Sequence, residues 1–426
     1  MKNILLSIIL IIFVNCAQKE PQVISYKQDI TPYITNIKPL HAELRKFNSH
    51  YFSPWQSSFM RSSKKSASWA NRVFLKNKIF FSENTMPWNS KNISSIIKST
   101  NFDDYNASNL YAITSKNTQI RNLPTNKPFF RDFKKAGEGY PFDYLQNSRI
   151  HINTPLLISH YNSDGSWAFI QNPFSLGWIP TNDIAILNTK QKGEFKEAQK
   201  IIIIKDKAPI YTKHQKFFTH TNLGAIFPYI KEDKQFYYSY VFINNFENKS
   251  KKIKLTIPKN LAKKFPLAFN PNNIKITINQ LLNQKYGWGG YLGNRDCSAL
   301  TKDFFTLFGI WLPRNSAAQK NMLRYISLKG KSNKEKEKTI LELGIPFQTL
   351  IYLKGHIMLY IGNKKGDIVV LHNLWGIKTK EDGKEGRYII GRAIISDLYL
   401  GKNLDNIEIK SLIISKIEGI TIPTNK

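Results

Sequence analysis

YGWGGYLGNRDCSAL, residues 286–300, is the stretch that decides how this chain is read. A glycine-rich turn runs into Asp296 and Cys297, and Leu300, Phe304, Phe305, Leu307 and Phe308 then recur at helical spacing, giving one buried face. Gly309 and Pro313 follow in the order that closes a helix. Asp296 stands where an N-cap belongs, so Cys297 falls in the first helical turn. Free backbone N–H groups and the positive end of the helix dipole are expected to lower a thiol pKa there. Cys297 is therefore a candidate nucleophile.

Two histidines downstream supply the groups that such a thiol needs. GHIMLYIG (355–362) reads as a short strand with His356 near its start, and DIVVLHN (367–373) as a second strand carrying His372. A thiol nucleophile requires a base, and the base requires a third group to fix its tautomer. Cys297, His356 and His372 fit these roles in order. The backbone N–H of Cys297 is the natural oxyanion donor for a nucleophile at a helix start. The histidines lack HExxH-type spacing and no second cysteine lies near them, so neither metal nor cofactor is expected.

YGWGG, DCSAL, FGIWLPRNSAAQ, GHIMLYIG and LHNLWGI, in that order, resemble the NlpC family of bacterial cell-wall cysteine peptidases over residues 274–395. The resemblance implies an α+β, papain-like peptidase domain, with His356 as base on the first core strand and His372 on the next. It implies Tyr286 as a second oxyanion contributor, with Ser298 flanking the nucleophile. Asp296 either only caps the helix or also meets a free substrate ammonium. Arg314 either pairs with a substrate carboxylate or makes a surface contact. The implied substrate is a peptidoglycan stem peptide, cut between D-γ-glutamate and the following diamino acid. The residues alone reach only acyl transfer at an amide or ester, and the same core also serves amidases and acyltransferases. A wall-binding lipoprotein with a vestigial peptidase is the reading from another class, and the intact Cys297, His356 and His372 speak against it.

At the other end, Lys2, an apolar run over 4–14 and Cys16 read as an export signal, too short for a membrane span. Cys16 is expected to become the lipidated first residue of the mature protein, although 13–15 depart from the usual lipobox. This places the protein in the periplasm or cell envelope, anchored to a membrane and expected as a monomer. The chain holds two cysteines in all. With Cys16 lipidated, Cys297 has no partner, and a lone thiol in an oxidising compartment is better explained by catalysis than by packing.

Length and composition allow several domains: 426 residues with 42% hydrophobic and 13% aromatic content exceed one core. The formal net charge of +32 suits an acidic polymer nearby. Its lysines form no stripe and no nucleic-acid motif, so nucleic acid is not an expected partner. The expected divisions are a signal at 1–16, a linker and small helical region at 17–101, two small all-β barrels at 102–190 and 191–268, and the peptidase at 269–426. Both barrels show short strands with turn signals and no helical period. They resemble bacterial SH3-like domains, and the helical region resembles the stabilising region of some members of the family. In related enzymes the first barrel narrows the cleft and helps bind the free amino end of the substrate. Tyr140, Asp143 and Tyr144 in GEGYPFDYLQNS (137–148) match the loop responsible, against the alternative that this is a buried turn. KSNKEKEK (331–338) is expected as a solvated charged loop, residues 18–33 as a polar tether, and 407–414 as a strand or a packing segment.

Overall fold

The computed structural model describes residues 26–35, 37–75, 79–244 and 250–422. The expected signal at 1–16, with Cys16, lies outside them. Among the described residues no helix is long and apolar enough to cross a membrane.

Seven antiparallel strands between Leu110 and Ile186 form one sheet. In Pro155–Tyr161 nearly every residue is buried instead of every second one. Both faces of the sheet are covered, which removes the polar alternation of a half-exposed strand. Ile120, Leu156, Ile158, Ile170 and Ile179 fill one side. Leu157, Phe169 and Trp178 fill the other, beneath Met60, Phe102 and Tyr105 of the helical region. That region is pinned by its tryptophans: Trp55 donates through Nε1 to the Ala112 and Leu156 carbonyls at 3.0 and 3.2 Å, and Trp88 to the Pro128 carbonyl at 3.0 Å.

The second barrel pairs a five-stranded with a three-stranded sheet around Ile201, Ile203, Ile210, Phe227, Val241 and Leu255. A helix, Thr189–Glu197, precedes it, where no helical period was legible. Only Phe195 of this helix is buried, so one apolar residue left no periodicity to read. Its start is fixed instead by a capping box of Asn188 and Gln191.

The C-terminal domain is α+β. Its six strands lie in the order Arg324–Ser327, Ile417–Ile422, Leu350–Leu353, His356–Lys364, Asp367–Glu381, Lys384–Asp397. Period-two alternation sends Leu359, Val369, Leu371 and Ile395 to one face, against Leu300, Phe304 and Phe308. Met358, Tyr360, Ile368, Val370 and Ile394 go to the other face, with Ile340 and Ile414. The helix Cys297–Leu307 is buried on nearly all sides rather than along one stripe, because Asp303 and Thr306 face the barrels. Gly309, at φ +73°, ends it in a left-handed conformation that glycine adopts freely.

Two expectations change, and one open choice is decided. Residues 333–343 form a helix, not a loop: Ser332 and Glu335 close a capping box. Lys336 is buried on it and donates to the Ile414 and Ser415 carbonyls at 3.2 and 2.9 Å. The charged run hid a helix whose few apolar contacts lie beyond its first turns. Residues 26–33 are no tether: Ile30 is fully buried, and the Gln28 amide bonds both the Ile395 carbonyl at 2.9 Å and the Ile395 N–H at 2.7 Å. The segment 407–414 packs against the domain as short helical turns, and the strand comes one step later.

Barrels and peptidase are joined by buried polar contacts. Arg295 pairs with Asp206 of the second barrel at 2.5 Å and with Asp303 at 2.7 Å. Arg149 of the first barrel donates to the Gly293 carbonyl at 2.5 Å and to Asn222 at 2.7 Å. Gly290 meets the first barrel so closely that a Cβ there would lie 2.6 Å from Arg149 Cβ.

Candidate active site

The nucleophile helix begins as its sequence foretold. The Asp296 carboxylate accepts from Ala299 N–H at 2.8 Å, the N-cap bond, and also from Gly289 N–H at 2.9 Å, which fixes the glycine turn to the helix start. Arg314 grips the same carboxylate with both ends of its guanidinium, at 2.9 and 2.7 Å. It also donates to Ser298 Oγ at 2.9 Å and to Ser148 Oγ of the first barrel at 2.8 Å. Burial alone would raise the Asp296 pKa, but the Arg314 charge and hydrogen bonds outweigh it and hold the carboxyl below its usual range. The two charges satisfy each other. Asp296 thus caps the helix, one of its two readings, and the other reading of Arg314, a surface contact, is corrected: its side chain is buried and paired, with Ser298 sealed between the two.

Cys297 is buried, and the backbone N–H groups of Ile357 and Ser298 face its sulfur. Its thiol is pushed up to about 12, by burial first and by the Asp296 charge second. This reverses the expected lowering. Desolvation next to a carboxylate exceeds what the helix start and the Arg314 charge return.

Ile357 follows His356 on the base strand, so the sulfur sits against the start of that strand. His356 Nε2 lies 2.9 Å from His372 Nδ1, and His372 Nε2 lies 3.1 Å from Ser396 Oγ. Burial lowers His356 to about 4, only partly opposed by the Asp296 charge. Burial and then the neighbouring His356 drive His372 well below the ordinary histidine value. Both rings are neutral near pH 7. His356 and His372 meet directly, and the Cys297 sulfur lies against Ile357, the residue after His356.

Tyr286 lies close enough to Cys297 for the thiolate charge to act on its phenol, whose pKa burial has already raised well above 10. Its ring rests near Trp375, centroids 5.8 Å apart. Tyr140 is half exposed, with its ring 6.4 Å from Trp375 and 6.2 Å from Tyr291, at the rim where barrel and peptidase meet. Its two loop partners lie elsewhere. Asp143 is wholly buried, paired with Arg121 at 2.6 Å and accepting from the Phe129 and Leu145 N–H groups at 2.9 Å each. Tyr144 packs towards Phe80, with the Arg131 guanidinium 4.3 Å above its ring. Neither is placed to touch a substrate: Asp143 is fully buried within its bonds to Arg121, Phe129 and Leu145, and Tyr144 packs on the core beneath the helical region.

Sequence reasoning passed over Phe142, which stands 5.3 Å from Trp288 and 5.9 Å from Trp375 and completes the aromatic rim. It also passed over Asn373, whose amide donates to the Arg295 carbonyl at 2.9 Å and ties the third-residue strand to the nucleophile loop. Its neighbour His372 drew attention as a titratable group, whereas a buried asparagine carries no such signal.

Family models match the NLPC_P60 N-terminal stabilising domain at residues 5–105, an SH3 domain of SH3b1 type at 128–180, an SH3 domain of SH3b2 type at 196–234 and the NlpC/P60 family at 283–381. Among curated proteins no sequence matches. Among solved structures, an NlpC/P60 endopeptidase from Photobacterium damselae subsp. piscicida superposes with a TM-score of 0.81 at 25% identity, covering 94% of this chain and 97% of that one. An NlpC/P60 family protein from Bacillus cereus aligns over 73% of this chain and 98% of its own, at 14% identity and a TM-score of 0.45. The chain thus carries, in order, a stabilising domain, two bacterial SH3 domains and a C-terminal domain that matches the NlpC/P60 family, the domain of a cysteine peptidase or amidase-type hydrolase.

Proposed function

We propose that the protein is an exported peptidoglycan hydrolase that cuts stem peptides between D-γ-glutamate and the diamino acid through a thioester on Cys297. The observation that carries this reading is the buried Cys297 at the helix start, with the His356–His372 pair hydrogen-bonded at 2.9 Å beside it. The resting site is a neutral thiol next to a neutral imidazole. His356 takes the thiol proton as sulfur attacks the amide carbonyl, so the charge appears only as the bond forms. The Cys297 N–H and the Tyr286 hydroxyl stabilise the tetrahedral oxyanion. The imidazolium then protonates the leaving amine, and water activated by the same ring releases the acid. His372 orients His356 throughout. Arg314 and Asp296 lock the turn that presents the sulfur. Tyr140 and the aromatic rim narrow the cleft on the barrel side, in keeping with short peptides bearing a free amino end. Export and a lipid anchor at Cys16 rest on the reading of residues 1–16.

Digestion of purified stem peptides, followed by mass spectrometry, tests the substrate. Cleavage after D-γ-glutamate is expected, and acetylation of the N-terminal L-alanine is expected to slow it at least about tenfold, since a closed cleft rejects a capped end. Equal rates on capped and free peptides would remove the narrowed-cleft element, and release of some other product would replace the assigned bond.

The pH profile of kcat/KM follows from the lowered His356 value. A base is competent while unprotonated, so activity is held above its pKa and lost as pH falls through it. The acid limb is therefore expected well below the ordinary histidine value of 6.5, towards about 4. Rates on a fluorogenic stem peptide at constant ionic strength would show it. A limb at pH 6.5 or above would mean a solvated imidazole.

A further inference from the structure

The hydrogen-bond chain does not stop at His372. Ser396, on the strand Lys384–Asp397, is buried, with Oγ 3.1 Å from His372 Nε2 and 2.8 Å from the Asp397 carbonyl oxygen. A carbonyl oxygen can only accept, so the serine O–H is donated to it, and Oγ is left to accept from His372. His372 thereby carries its proton on Nε2 and presents a lone pair at Nδ1. That lone pair accepts from His356 Nε2, 2.9 Å away, so the single proton of the neutral His356 ring is held on Nε2 as well. His356 Nδ1 is left bare.

We propose that Ser396 is a positioning residue that arms the base: by donating to the Asp397 carbonyl it sets the tautomer of His372, and through it the tautomer of His356. The reversed chain shows what depends on it. A serine donating to His372 Nε2 would place the proton on His372 Nδ1, facing His356 Nε2. His356 would then hold its own proton on Nδ1 and have no lone pair there to take the thiol proton. The strand is held in register at this point, because both backbone groups of Ile395, the preceding residue, are bonded by Gln28. The inference rests on the reading of His356 as base, but its first prediction concerns only where protons sit.

The test is nitrogen NMR of the full chain with labelled histidines, together with steady-state kinetics, on the wild type, Ser396→Thr and Ser396→Val. Threonine and valine have the same shape, and only threonine keeps the hydroxyl. In the wild type both His356 and His372 are expected as single Nε2–H tautomers. Ser396→Val should show His372 mixed between tautomers and a kcat lowered about tenfold to a hundredfold at unchanged KM, with Ser396→Thr close to wild type in both respects. A wild-type His372 protonated on Nδ1 would overturn the proposal, as would a Ser396→Val protein with both the wild-type tautomers and the wild-type kcat. A wild type that has the expected tautomers yet cleaves no stem peptide would instead sink the assignment of His356 as base and leave the tautomer chain standing. If Ser396→Val does not fold, the wild-type spectrum alone decides.

Discussion

With alanine at position 297, turnover of stem peptides is expected to fall by at least about four orders of magnitude while peptide binding persists, because sulfur is the atom that forms the covalent bond. Cys297 lies in a well-packed start of a helix whose cap, Asp296, and whose clamp, Arg314, hold no bond to the thiol itself. Removing one sulfur there should leave both in place. The separation matters: titration calorimetry should return a dissociation constant close to that of the wild type, and mass spectrometry should detect no product. Cleavage that survives in Cys297→Ala at more than about a hundredth of the wild-type rate would show that water, activated elsewhere, is the nucleophile, and the thioester route would fail.

Arg314→Met should be the most destabilising single change near the site. It removes a cation that makes four hydrogen bonds, two of them to Asp296, and leaves that carboxylate buried without a counter-charge. Breaking one side of a buried pair costs about 3–5 kcal/mol. Adding Asp296→Asn to the same chain should restore part of the loss, since an amide is cheaper to bury than an uncompensated charge. Denaturant unfolding of the two variants measures both effects. The pair also has a pH signature: the Asp296 pKa is lowered by folding, so its contribution is present above the ordinary carboxylate value of 3.8 and fades as pH falls below it. In Arg314→Met that acid dependence should shrink or reverse. A loss below about 1 kcal/mol would mean that solvent reaches the carboxylate.

Local rules made the catalytic residues legible and left their environment unread. Cys297 could be placed because a glycine turn, a cap and an apolar spacing all agree within residues 287–308, and His356 and His372 because each sits in a short apolar strand. Arg314 could not be placed, because an arginine after a proline reads equally well as a surface contact or as a substrate partner, whereas it pairs with Asp296, 18 residues earlier, and is closed over by Ser148, 166 residues away. The error over Asp143 has the same origin: Arg121 comes 22 residues earlier and carries no mark of being its partner. The thiol pKa went wrong in sign because the helix start is a local property, whereas burial is a sum over everything that closes around the sulfur. The helix at 333–343 was hidden by its lysines, although its capping box, Ser332 with Glu335, was there to be found.

The grip of Gln28 on Ile395 has a consequence for how the enzyme is made. The two residues are 367 positions apart, so the amide reaches this strand only when the chain has folded back across the intervening domains. The strand already pairs with Asp367–Glu381, and the Gln28 amide adds a clasp next to Ser396, the hydroxyl proposed to set the proton of His372. A chain with both barrels and the sulfur-bearing helix in place, but with residues 28 and 395 still apart, lacks that clasp on the strand beside His372.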